Sequence, residues 1–184
     1  MKVDPITEAK DIKSIKKLLM DKPRDRLLFI LGINSGLRVQ DLLSLKVGQL
    51  MERKIGDRIS LREKKTGKDN ILMINKEIKK AFQDYYDAIN PEEHHYIFKS
   101  RKGENYPITT YRVTRLVKSW AKQINLRGNY GAHTLRKTWT YQNRMKGVSW
   151  EVLSRRLNHS SPSITRRYIG LRQEEVEDAL MNDI

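Results

Sequence analysis

Apolar residues recur at two different periods along this chain, and the change of period divides it. From Thr7 to Leu19 the spacing is helical and puts Ile12, Ile15, Leu18 and Leu19 on one face, with Thr7 as the N-cap. Pro23 opens a second helix that directs Leu27, Leu28, Ile30 and Leu31 inward, and Gly36 follows as its C′ residue. Arg38 to Leu45 predicts a short helix burying Leu42, Leu43 and Leu45. Between Val47 and Asn75 the pattern changes. Ile59 and Leu61 precede a polar Lys64-Lys65-Thr66-Gly67-Lys68 turn, and an apolar run from Ile71 to Ile74 follows it. That order predicts a small antiparallel sheet with a hairpin near Gly67.

Helical spacing returns at Lys76, with Ile78, Phe82, Tyr85, Tyr86 and Ile89 on one side, and stops at Asn90-Pro91. Tyr96-Ile97-Phe98 is a short apolar piece ahead of a polar loop. After Pro107 a long helix carries Val113, Leu116, Val117, Trp120 and Ile124. Gly128 and Gly131 bracket a turn into a helix that begins near His133, and Gly147 breaks that helix. Ser149 caps another running to about Asn158. A Ser160-Ser161-Pro162-Ser163 linker then leads to a short segment bearing Tyr168. The tail, about Gln173 to Asn182, reads as helical, with Val176 and Leu180 on one side. The expected class is α+β, mainly helical, with one small antiparallel sheet. Tyr85, Tyr86 and Trp120 are expected as packed aromatics, and Trp139 and Trp150 as core or as support for a site.

Charge adds a partner to this outline. The chain has 184 residues, enough for one domain with a sizeable core, and a formal charge of +15. The excess is uneven: every Lys and Arg lies within residues 1–172, whereas five acids stand in the tail from Glu174 onward, so the body carries +20. From Arg127 to Arg167 there are nine basic residues and a single acid, Glu151. A basic body with a short acidic tail points to a polyanion, most often nucleic acid. The absence of cysteine excludes disulfides and thiolate metal sites. No apolar run approaches membrane-spanning length, and the N-terminus lacks the apolar core of a signal peptide, so a cytoplasmic protein is expected.

The candidate chemistry lies mostly in the last third. His133-Thr134-Leu135-Arg136 is followed by Leu157-Asn158-His159, and Tyr168 stands nine residues after that histidine. Upstream, Gly36-Leu37-Arg38-Val39-Gln40-Asp41 supplies a second arginine at a helix start. Arginine offers a planar fork of donors that matches two phosphate oxygens. Histidine moves a proton near neutral pH, and tyrosine can act as a covalent nucleophile. On its own each residue has a plainer explanation. An arginine at a helix start is usually a surface ion pair, here with Asp41 as a partner or orienting group, and His94-His95 reads as loop histidines rather than a zinc site.

In this order and spacing, G-L-R-x-x-D at Arg38, a basic hairpin at Lys65, H-x-L-R at His133 and Arg136, L-x-H at His159 and then Tyr168 resemble the catalytic domain of the tyrosine recombinase (phage integrase) family. The resemblance spans about Ile6 to Arg172. It implies a catalytic domain over residues 1–172 followed by an acidic tail over residues 173–184. It also implies site-specific DNA recombination, by integration, excision or inversion, through a 3′-phosphotyrosine intermediate. Arg38 and Arg136 would grip the non-bridging oxygens, with Asp41 in support. His133 would take the proton from Tyr168 or hydrogen-bond the phosphate, and His159 would donate to a phosphate oxygen. Tyr168 would attack, and Lys65 would protonate the departing 5′ oxygen. Neither ATP nor a metal is implied, because the cations are side chains. The implied partners are double-stranded DNA, further copies of the chain as a tetramer on DNA, and accessory DNA-bending proteins. In a prokaryote the chain would be associated with the nucleoid.

The chain also departs from the family pattern. Asn158 stands where glycine is more frequent, and asparagine tolerates positive φ better than most residues. Lys137 stands where a histidine is common, and Asp41 where a glutamate is. The helical N-terminal domain that usually clamps the other face of DNA is not in this sequence, which fits either a short stand-alone recombinase or a fragment. Two rival readings share parts of the pattern: a DNA-binding regulator that keeps the fold without the chemistry, and a type IB topoisomerase-like nicking-closing enzyme.

Overall fold

A computed structural model describes residues 3–170 and 180–181. The tail expected as a helix over Gln173–Asn182 therefore lies outside the described residues, apart from Leu180 and Met181. The helices are α1 (Ala9–Leu18), α2 (Pro23–Ser35), α3 (Val39–Leu42), α4 (Lys76–Ile89), α5 (Thr110–Gln123), α6 (Ala132–Met145), α7 (Trp150–Arg156) and α8 (Pro162–Ile169). Between α3 and α4, strands β1 (Arg58–Arg62) and β2 (Asp69–Met73) form an antiparallel pair, with Ile59 opposite Leu72. These two side chains are buried while Ile71 and Met73 on the other face are exposed, the alternation a one-sided sheet requires.

Helix α2 is the axis of the domain. Leu27, Leu28, Phe29, Ile30 and Leu31 are each at most 1% exposed. An amphipathic pattern predicts one buried face, but α2 is enclosed by α4 and α6 and buries its whole middle. The crossing with α6 is close because position 32 is glycine: a Cβ there would lie 2.6 Å from Cδ1 of Leu135. Trp120 fills the core beside Phe29, with the rings edge to face and their centroids 6.0 Å apart.

Some boundaries differ from the expectation. Thr7 does not cap α1; Glu8 occupies that position without a side-chain cap, and the Thr7 carbonyl instead accepts from the Gln142 amide at 2.6 Å. Ile89, expected on the apolar face of α4, is exposed because the helix ends there, at Asn90 in the left-handed region. No helix among the described residues is long and apolar enough to cross a membrane.

A second, smaller apolar cluster forms beneath the C-terminal helices. Trp150, Leu153 and Ile169 are buried in it, with Trp139 and Tyr168 packed alongside. Trp139 also settles against Gly36, where a Cβ would lie 2.8 Å from the indole. Gly36 has φ +65° as the C-cap of α2, so both the turn and the indole demand glycine. This contact sets the direction in which the chain leaves α2 toward Arg38.

Candidate active site

Four pieces of chain converge beside the N-terminal end of α6: the α2–α3 turn, the β1–β2 hairpin, the start of α6 and the α7–α8 connection. Arg38 is the N-cap residue of α3. Arg38, Lys65 and His133 line one cavity of about 340 Å³ together with Thr110. Lys65 is exposed on the hairpin turn, and His133 is exposed in the first turn of α6. One turn further along α6, Arg136 is 3% exposed, and its Nη2 donates to the Leu157 carbonyl at 2.6 Å. Its Nε is buried without a hydrogen-bond partner among the described residues, a costly state for a charged donor. Burial, and then repulsion from Arg38, lower the Arg136 pKa to about 10.

The Leu157-Asn158-His159 segment closes α7 and turns the chain back. Asn158 has φ 54°, so the position where glycine is more frequent does adopt the left-handed conformation. This turn aims the Leu157 carbonyl at Arg136 and brings His159 over α8. His159 Nδ1 lies 2.8 Å from the Thr165 hydroxyl, which lies 2.8 Å from the Ser154 hydroxyl. Thr165 and Ser154 are both buried. Burial, with the charges of Arg136 and Arg38, holds the His159 pKa down to about 4. His133 is also lowered, by desolvation of its inner side and by the surrounding Arg136, Lys65, Arg38 and Lys137. Both rings are therefore neutral at pH 7.

Tyr168 stands near the end of α8 in the same chain as the other candidates. Its ring meets His159 edge to face, and its hydroxyl is buried without a hydrogen-bond partner among the described residues. Burial raises the phenol pKa, and Arg136 and Arg38 oppose that rise. The six expected residues thus share one neighbourhood.

Asp41 and three further residues were placed differently from expectation or not foreseen. Arg38 pairs with Glu63 and not with Asp41. The buried Asp41 carboxylate accepts the Lys64 backbone N–H at 3.0 Å, which ties the start of the hairpin turn to α3; burial raises its pKa. Glu63 itself escaped the sequence reading, although it lies two residues before Lys65 in a strand-forming stretch. Lys137 is buried; its Nζ donates to the Val3 carbonyl at 2.8 Å and lies 5.1 Å from the centre of the Tyr168 ring. Sequence marked Lys137 only as a departure from the family pattern. Thr165, three residues before Tyr168 on α8, was legible only as a neighbour on the same helical face. Glu92, His94 and His95 do bring ligand atoms within 4.8 Å of one another. His95 Nδ1 already accepts the Glu92 backbone N–H, and its Nε2 lies 3.1 Å from Lys99 Nζ.

An enclosed pair of arginines among two neutral histidines, a lysine and an unpartnered tyrosine hydroxyl is suited to an anion with a nearby nucleophile. The chain belongs to the phage integrase family, whose model matches residues 6–175. It is 36% identical over 178 residues to the probable integrase/recombinase YoeC of Bacillus subtilis, covering 96% of this chain and 94% of that one. It is 24% identical over 175 residues to the tyrosine recombinase XerA of Pyrococcus furiosus, covering 95% of this chain but 60% of that one. Among solved structures, XerA recombinase superposes with a TM-score of 0.78 at 20% identity, over 100% of this chain and 66% of that one. XerH site-specific recombinase, in a post-cleavage complex with its palindromic difH substrate, gives 0.77 at 18% identity, over 98% and 53%.

Proposed function

We propose that this chain is a site-specific DNA recombinase that breaks and rejoins strands through a 3′-phosphotyrosine. The observation that carries the reading is Tyr168, with its hydroxyl unpartnered among the described residues, packed against His159 and within the field of Arg136 and Arg38. The family supports it, as does the XerH complex, in which a relative in fold is bound to DNA after cleavage.

In the proposed reaction, Arg38 and Arg136 hold the non-bridging oxygens and stabilise the pentacoordinate state, where negative charge grows. His133 is kept neutral by its surroundings and accepts the Tyr168 proton. His159 has Nδ1 turned to Thr165; in this reading Thr165 donates to Nδ1, and the N–H on Nε2 is given to a phosphate oxygen. The Tyr168 Oη–phosphorus bond forms, the bond to the 5′ oxygen breaks, and Lys65 supplies the proton that oxygen needs. A 5′ hydroxyl from another strand then reverses the steps and releases Tyr168. The bond energy is conserved in the phosphotyrosine, so ATP is not needed, and the cationic side chains do the work a metal would do.

The substrate of this reading is double-stranded DNA, and the working form is an assembly of several copies, a tetramer with accessory DNA-bending proteins where the site requires them. The place of action is the cytoplasm, at the nucleoid in a prokaryote. The catalytic domain comprises residues 1–172, and residues 173–184 form a tail outside the chemistry. An idle DNA-binding regulator would have no use for the tyrosine at this position. The test is a nicked suicide duplex, selected from a randomised pool by binding to the chain. Recovery of a covalent protein–DNA adduct attached through Tyr168 supports the reading, and its absence under conditions of full binding refutes it. A synapsis assay with two DNA sites separates recombination from topoisomerase-like nicking and closing.

A further inference from the structure

The β1–β2 hairpin turn is exposed from Lys64 to Asp69, yet the Glu63 side chain at its base is only 1% exposed. Burying a carboxylate at the root of a surface turn is costly unless it is paired and hydrogen-bonded. Glu63 meets both conditions. Its Oε2 accepts from Arg38 Nη1 and from the Thr66 hydroxyl. Its Oε1 accepts from the Asn70 amide at 2.8 Å. Asn70 in turn accepts from Arg156, whose guanidinium also donates to the Ser35 carbonyl at the end of α2. Burial would raise the Glu63 pKa, but Thr66, Asn70, the facing Asn158 amide and the charge of Arg38 together hold it at about 2. Glu63 is therefore ionised throughout the working range of pH.

One carboxylate thus touches the phosphate-binding arginine, the turn residue next to Lys65, and a strand residue tied to α7. We infer that Glu63 is a positioning residue that sets Lys65 against Arg38, so that the proton donor and the phosphate grip are held as one unit. The inference rests on the reaction proposed above. In that reaction Lys65 gives its proton to the departing 5′ oxygen as the phosphorus–oxygen bond breaks. A hairpin that kept only the Asp41 tie to the Lys64 N–H would leave the lysine tip free to wander while Arg136, His159 and Tyr168, on other elements, stay in place.

The test uses Glu63→Ala and Glu63→Gln in the full chain, with suicide duplexes carrying either oxygen or sulfur at the bridging 5′ position of the scissile phosphate. Sulfur departs as a thiolate and needs no proton, because thiols are far more acidic than alcohols. With the oxygen substrate, Glu63→Ala should cleave about 10²-fold more slowly, the scale of a misplaced catalytic group. With the sulfur substrate most of that loss should vanish, as it should for Lys65→Ala, while Arg38→Ala stays slow on both. A purely structural defect would not distinguish the two leaving groups. Without DNA, amide exchange at residues 64–68 should accelerate in both Glu63 variants. Equal slowing on both substrates, unchanged rates, or faster cleavage by Glu63→Gln would overturn the inference. Faster cleavage would mean that Glu63 competes with phosphate for Arg38. If the wild-type chain forms no tyrosine adduct at all, the functional reading fails, and amide exchange alone decides whether Glu63 anchors the hairpin.

Discussion

His159 meets Tyr168 edge to face, with ring centroids 5.4 Å apart and an interplanar angle of 76°. The histidine is held from behind by Thr165, one turn before Tyr168 on α8, so the orienting group and the proposed nucleophile share a helix. The tyrosine ring is thereby packed against the histidine, while its buried hydroxyl has no hydrogen-bond partner among the described residues.

Tyr168→Phe should abolish the covalent adduct while leaving DNA affinity within about 2-fold, because only the attacking oxygen is removed. Stability should hold or rise by about 1 kcal/mol, since the lost hydroxyl is buried and unpartnered. Adduct formation on suicide DNA and urea unfolding check the two parts. Persistent cleavage by the Phe variant would remove Tyr168 as the nucleophile.

Arg136→Lys should slow cleavage by about 10³-fold, because an ammonium reproduces neither the bidentate fork nor the donor left for phosphate. Binding should weaken by less than about 10-fold. Comparable losses in both assays would make Arg136 an ordinary backbone contact. Cleavage by the unaltered chain should proceed in EDTA.

Acid should destabilise the fold in two steps. Between pH 6.5 and about 4 an unfolded chain protonates residue 159 while the folded chain keeps it neutral, so stability present above pH 6.5 is lost as pH falls through that window. Between pH 4.5 and about 2 the unfolded chain protonates residue 63 while the folded chain keeps it ionised, and stability falls again. Urea midpoints against pH should flatten in the upper window for His159→Gln and in the lower one for Glu63→Gln. Parallel curves for wild type and variants would contradict the assignment.

DNA affinity should fall linearly with salt on logarithmic axes, with a slope of magnitude about 5 or more, the mark of six or more phosphates neutralised. Filter binding or anisotropy over a range of salt measures it. A shallow slope would mean that the basic body of +20 serves another purpose.

The acidic tail should act between copies of the chain. Removal of residues after Arg172 is expected to weaken cooperative occupancy of paired DNA sites and to leave single-site binding unchanged or stronger, because five acids are lost. Band-shift titration on one-site and two-site duplexes reads both. Unchanged cooperativity together with unchanged recombination would leave the tail without this role.

Periodicity alone located nearly every helix and the hairpin, because most elements apart from α2 show one apolar face and several are bounded by Gly, Pro or a capping residue such as Ser149. Order and spacing also marked Arg38, His133, Arg136, His159 and Tyr168, since their residue types are rare in combination, and the family resemblance added Lys65. Periodicity does not report what surrounds an element, so the full enclosure of α2 and the exposure of Ile89 followed from packing. Ion-pair partners were equally out of reach. Asp41, three residues from Arg38, is the nearer acid along the chain, but the β1–β2 fold brings Glu63 to the guanidinium and turns Asp41 to a backbone N–H. Lys137 was visible as a departure and Val3 as a terminal residue, yet only the path of the N-terminal segment along α6 brings them together. The chemistry of each residue is carried by its type and place in the sequence. Its partner and its burial depend on segments distant along the chain, and these meet only when the helices close on a common core.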